Sequence, residues 1–115
     1  MHYLLKNYRT SSGQKPFFSW LNELADLQAR VAIQTRLDRL GLGNFGNCES
    51  VGGGVYELKI YVGPGYRVYY AKIGKQIVLL LCGGSKKTQN KDIQKAKTYF
   101  QDYKNRGDSD DKEND

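Results

Sequence analysis

Phe17, Trp20, Leu21 and Leu24 recur at i, i+3, i+4 and i+7, a spacing that predicts a short helix with one apolar stripe. Pro16 stands at its first turn, where a missing N–H costs nothing. Asp26 is placed to cap a second helix, with Ala29, Ile33, Leu37 and Leu40 on its inner face and Gly41 and Gly43 closing it. Before this hairpin, residues 3–9 are short and β-prone, and 10–15 form a polar loop. After Cys48 the period changes to alternation. The expected strands are Glu49–Val51, Val55–Val62, Tyr66–Ile73 and Gln76–Cys82, separated by Gly52-Gly53-Gly54, Gly63-Pro64-Gly65 and Gly74-Lys75. Gly83 to Lys87 is expected to leave the sheet. Ile93, Ala96, Phe100 and Tyr103 then mark a last amphipathic helix.

Strands joined by turns this tight must run antiparallel. The order therefore predicts an α+β fold: an N-terminal strand, a helical hairpin, an antiparallel sheet of about four strands and a C-terminal helix. The expected domain covers 1–103, followed by a disordered acidic tail over 104–115.

Hairpin geometry then predicts neighbours. A three-residue turn at Gly63-Pro64-Gly65 sets Tyr61 opposite Arg67 and Lys59 opposite Tyr69, while the next turn sets Arg67 opposite Cys82. Tyr56, Leu58 and Ile60 share the apolar face that belongs on the helices. Glu57, Lys59 and Tyr61 share the other, with Arg67 and Tyr69 beside them and Lys86 and Lys87 near the end of the last strand. An antiparallel sheet often leaves such a face wet, and solvation alone would account for the pattern. Glu57 is then expected only in a surface ion pair.

Composition adds weight to a polyanionic ligand. The net charge is +6, but 104–115 hold three basic and five acidic residues, so 15 basic residues stand against 7 acidic ones in 1–103. A body at +8 favours nucleic acid or an acidic protein. Apolar runs fall well short of the roughly 20 residues of a membrane span. The N-terminus lacks the pattern of a signal peptide, so a cytoplasmic protein without membrane contact is expected. Cys48 and Cys82 stand 34 positions apart and the single His is His2, a distribution that predicts reduced thiols and no metal site.

The basic strip suits phosphodiester chemistry. RNA can be cut without metal when the neighbouring 2′-OH attacks phosphorus, provided that its proton is removed, the phosphate charge is neutralised and the departing 5′-oxygen is protonated. Pre-arranged cations lower that barrier, and the planar fork of Arg pairs with two phosphate oxygens. A Lys crowded by cations has its pKa depressed and can carry a proton. Arg67, Lys59, Lys86 and Lys87 are the catalytic candidates; Tyr61, Tyr66, Tyr69 and Lys91 are candidates for RNA contact through ring stacking, a hydroxyl or charge.

Several segments resemble a known family. Trp20-Leu21, Arg36-Leu37, Gly43-Asn44-Phe45-Gly46, Gly54 to Ile60, Gly63 to Tyr70, Leu79 to Gln89 and Asp92 to Ala96 are similar to the HigB-like addiction module killer proteins of the RelE/ParE superfamily. The resemblance covers roughly residues 3–103. It implies a bacterial toxin that blocks translation by cleaving mRNA, often on the ribosome, with no cofactor, and an antitoxin partner that commonly carries a helix-turn-helix domain. It also implies a catalytic Arg at Arg67, a strand lysine at Lys59 and a basic residue at Lys86 or Lys87. Two departures stand out. A second RelE lysine corresponds to Glu57, and the Tyr or His near the final helix of some relatives has no counterpart between Lys86 and Ala96, which leaves Lys86 or Tyr61 as proton donors. The same superfamily offers a ParE-like gyrase poison or a non-catalytic antitoxin-binding protein as alternatives.

Overall fold

The computed structural model describes residues 2–106. It is an α+β fold with the order β1 (Leu4–Asn7), α1 (Pro16–Glu23), α2 (Leu27–Gly41), β2 (Cys48–Gly52), β3 (Val55–Ile60), β4 (Tyr66–Ile73), β5 (Ile77–Ser85) and α3 (Gln89–Arg106), a 3-10 turn at Lys86–Thr88 linking the last two. Pro16 opens α1, and the Asp26 carboxylate caps α2 by accepting from the Ala29 amide at 3.0 Å.

The five strands lie in the order β1-β5-β4-β3-β2. The β2–β5 meander is antiparallel as expected, whereas β1 runs parallel to β5, so the sheet is mixed. Parallel pairing needs a long crossover, and here α1, α2 and the first part of the meander supply it. Helices cover both faces. Phe17, Ile33, Leu37 and Leu40 pack on Leu58, Ile60, Val68, Tyr70, Val78 and Leu80. On the opposite face Ala96, Phe100 and Tyr103 pack on Val55, Tyr69, Ala71, Leu79 and Leu81.

Three differences from the sequence expectation bear on the site and its surroundings. Gly83 to Ser85 stay in the sheet, paired with Val68, Arg67 and Tyr66. Glycine is needed there because helices approach β5 closely on both sides: a Cβ on Gly83 would run into the Trp20 ring, and one on Gly84 into the Asp92 carboxylate. The hairpin register also shifts. Strand β3 ends at Ile60 rather than Val62, and Lys59 faces Arg67 across a connection of five residues, 61–65, closed by the Gly65 amide on the Val62 carbonyl at 3.0 Å. Finally, α3 continues to Arg106, so 104–106 are helical rather than part of a tail. The rest of the expected tail, 107–115, lies outside the described residues.

Candidate functional site

The register found is two residues away from the one expected. Side chains on a strand repeat every two residues, so this slip leaves every residue on its expected face. Glu57, Lys59, Arg67 and Tyr69 therefore share one face, with Glu57 opposite Tyr69 and Lys59 opposite Arg67. The turn after β4 is one residue longer than expected, which sets Ile73 opposite Ile77, and a bulge between Tyr69 and Tyr70 adds one more step, so that Arg67 lies opposite Gly84 rather than Cys82.

That face is covered for part of its length. The N-terminal turns of α3 sit over Glu57 and Tyr69, which are 1% and 0% exposed. Beyond the end of the helix the strip opens into a pocket of about 280 Å³, lined by Lys59, Ile60, Tyr61, Gly63, Pro64, Gly65, Tyr66, Arg67 and Lys86. Lys86 reaches it from the 3-10 turn, whose position is fixed by the Lys86 amide donating to the Gly65 carbonyl at 3.1 Å. Three of the four catalytic candidates, Lys59, Arg67 and Lys86, thus line one concavity. Lys87 is exposed in the same turn but does not line it.

The expectation of a surface pairing for Glu57 is overturned. Its carboxylate accepts from the Tyr69 hydroxyl at 3.0 Å and from Gln89 Nε2 at 2.8 Å, and Oε2 lies 3.7 Å from Arg67 Nε. Burial of a carboxylate demands such partners. Arg67 is consequently oriented from below. Its Nε is buried without a hydrogen bond among the described residues, while Nη1 rests where a Cβ on Gly65 would be 3.5 Å away, at the pocket. Lys59 instead pairs with the exposed Glu49, Nζ to Oε2 at 3.4 Å. Beside this network, Asp92 is buried and accepts from Thr88 Oγ1 at 2.5 Å, tying the start of α3 to the turn that carries Lys86.

The aromatic candidates separate. Tyr61 is 72% exposed at the pocket rim and is available for stacking. Tyr66 is buried near Trp20, with ring centroids 6.2 Å apart, and offers the pocket only part of its surface. Tyr69 is enclosed and cannot meet a base. Burial, and then the Glu57 carboxylate, push its hydroxyl far above the ordinary tyrosine range, so it serves as a donor to Glu57. Lys91 is exposed on α3 and does not line the pocket. Both cysteines are free thiols, and among the described residues no three His, Cys, Asp or Glu side chains are grouped so as to hold a metal ion.

Sequence reasoning missed Gln89, Thr88 and Asp92, and misjudged Glu57. One signal for their burial was available. The apolar stripe of α3 requires a sheet face, and the helical hairpin already occupies the other one.

Comparison with known proteins adds a lineage to this geometry. The family described as Phage derived protein Gp49-like (DUF891) matches residues 19–104. An uncharacterized protein of Haemophilus influenzae is 49% identical over 86 residues, a stretch covering 75% of this chain and 87% of that relative. The match spans the later part of α1, all of α2, the meander, the pocket and nearly all of α3, and the chain belongs to the phage-derived Gp49-like family.

Proposed function

We propose that the protein is the toxin of a type II toxin–antitoxin pair and that it inhibits translation by cutting mRNA, without a metal ion and on the ribosome. The observation that carries this reading is the convergence of Lys59, Arg67 and Lys86 on one pocket with the exposed ring of Tyr61 at its rim. Membership of a phage-derived family and a basic body are consistent with a mobile addiction element that acts on RNA.

In this reading a scissile phosphate enters the pocket. The 2′-hydroxyl of the preceding ribose passes its proton to water or to a ribosomal group as its oxygen forms a bond to phosphorus, the bond to the 5′-oxygen breaks, and the products are a 2′,3′-cyclic phosphate and a free 5′-hydroxyl. The guanidinium of Arg67, held on its inner side by Glu57, stabilises the charge that builds on the phosphoryl oxygens. Lys59 adds a second cation from the facing strand. Lys86 and Tyr61 line the pocket with exchangeable protons and are the candidates for protonating the leaving oxygen. A set this sparse fits an enzyme completed by the ribosome. The partner that silences it is an antitoxin, of the helix-turn-helix DNA-binding kind, that occludes the cationic pocket. Cytoplasmic action fits a chain in which, among the described residues, no helix is long and apolar enough to cross a membrane.

Induced expression of the parent and of Arg67→Ala in a bacterial host, with mRNA ends mapped with and without ribosomes and the fold of the purified variant checked by circular dichroism, tests this. Growth arrest and ribosome-dependent cleavage by the parent, both lost in the variant, are expected. Arrest of equal speed by the variant, or arrest with DNA damage and intact mRNA, would replace the nuclease with a gyrase poison or a purely binding protein.

A further inference from the structure

A second cationic pocket lies on the other side of Lys59, and we infer that it binds another phosphate of the same RNA strand. This inference rests on the RNA reading of the first pocket. The second has a volume of about 240 Å³ and is lined by Arg36, Arg39, Asn44, Gly46 and Asn47. Its described lining contains two guanidinium groups and two carboxamides, and no carboxylate. Such a wall suits an anion whose oxygens accept several hydrogen bonds.

The pocket is built rather than incidental. Arg36 and Arg39 stand at i and i+3 near the end of α2, on neighbouring positions of the helix surface. Arg36 is half-buried, and its fork is fixed by two backbone carbonyls: Nη1 donates to Lys59 at 3.0 Å and Nη2 to Phe45 at 3.4 Å. A guanidinium has five N–H donors, so donors remain for a ligand. Gly46 has φ of 60°, and a Cβ there would press on Arg36 Nη2, so glycine keeps this cradle open. Arg39 is exposed and has no ion pair among the described residues.

Lys59 joins the two pockets. Its side chain lines the first, its carbonyl anchors Arg36 in the second, and its amide donates to the carbonyl of Asn47 at 3.1 Å. An extended strand with one phosphate beside Arg67 would pass over this shared wall and present a phosphate at least two further along the strand to Arg39, beyond the reach of a trinucleotide. A cationic groove that follows the backbone in this way binds single strands with little dependence on sequence.

The test uses the full chain and fluorescent 2′-O-methyl oligonucleotides, which cannot be cleaved, as a trinucleotide and an octanucleotide at several salt concentrations. Arg39→Gln should weaken octanucleotide binding about tenfold, the effect of one lost charge-assisted contact. It should reduce the slope of log affinity against log salt by about 0.7 and hardly change trinucleotide binding. Asn44→Ala, also exposed, should act in the same direction. Lys86→Gln should weaken both lengths. If Arg39→Gln leaves octanucleotide affinity and slope at parental values while Lys86→Gln lowers them, the second site is wrong and the first pocket stands. If only Arg39→Gln has an effect, the first pocket is wrong. An equal loss for both lengths would overturn the continuity of the two pockets, and a parent chain that binds neither length would overturn both.

Discussion

Arg67 sits between two demands. Its inner side lies against a buried carboxylate, and its outer side lines the pocket. Arg67→Ala therefore removes two things at once, the phosphate contact and the counterion of Glu57, and a loss of activity in that variant alone would not separate chemistry from folding. Arg67→Lys keeps the charge and loses the fork. It should remain folded and lose activity by about a hundredfold or more, the scale on which a single transition-state donor acts. Near-parental cleavage by Arg67→Lys would mean that the pocket needs only a cation. The pair has its own signature in stability. Glu57→Gln and Arg67→Gln should each destabilise the fold by about 3 kcal/mol in urea unfolding, since each leaves a charge buried without its partner. The double variant should be destabilised by clearly less than the sum. Additive losses would mean that the 3.7 Å contact carries no coupling.

At the scale of elements, the hairpin and the last strand show what a sequence reveals and what it hides. The helical hairpin, the meander and the shared face of Lys59 and Arg67 follow from periodicity, capping and turn residues, which are local properties. The hairpin register is not local in the same sense. Gly63-Pro64-Gly65 reads as a three-residue turn, yet Val62 packs against the core and Tyr61 swings out, lengthening the connection to five residues. Convergence of the cations survived this error because a slip of two preserves the faces. The covering of Glu57 was hidden for a different reason. A polar residue in an alternating strand looks solvated until the helix that lies over it is known, and α3 is more than thirty residues further along the chain. The two glycines near the end of β5 were likewise read as an exit from the sheet, although their role is to admit Trp20 and Asp92. Gly83→Ala tests that account. It should lower stability by about 1–3 kcal/mol, the range for overpacking a close contact, rather than the gain that a less flexible residue would give in a loop. A thermal or urea melt decides, and a stabilised Gly83→Ala protein would show that α1 does not need this approach.

The whole molecule encloses its sheet between helices on both sides, and this has a consequence for its behaviour in alkali. Tyrosines and a thiol that would be half-wet in a two-layer fold are here shut in. Burial pushes the Cys82 thiol up to about 12, with the Asp92 carboxylate adding to the effect. Burial and the bond to Asp102 push the Tyr8 hydroxyl up to about 12, and Tyr69 and Tyr70 are raised further, in each case mainly by burial. In the unfolded chain the thiol ionises near pH 8.5 and the phenols near 10. Between those values and 12 the unfolded state has released protons that the folded state still holds. Stability is therefore intact below about pH 8.5 and declines through the window above it, by up to about 1.4 kcal/mol per pH unit for each such group. The urea midpoint should accordingly be level between pH 7 and 8 and fall steadily from 9 to 11. Cys82→Ala should start lower, because it loses packing, but fall less steeply in the first part of that range, where the thiols contribute before the phenols; burial raises the Cys48 thiol as well, so part of the slope remains. A midpoint that stays level up to pH 11 would mean that water reaches these groups in the folded state. The sheet would then lack the two-sided cover that sets Arg67 on a buried carboxylate.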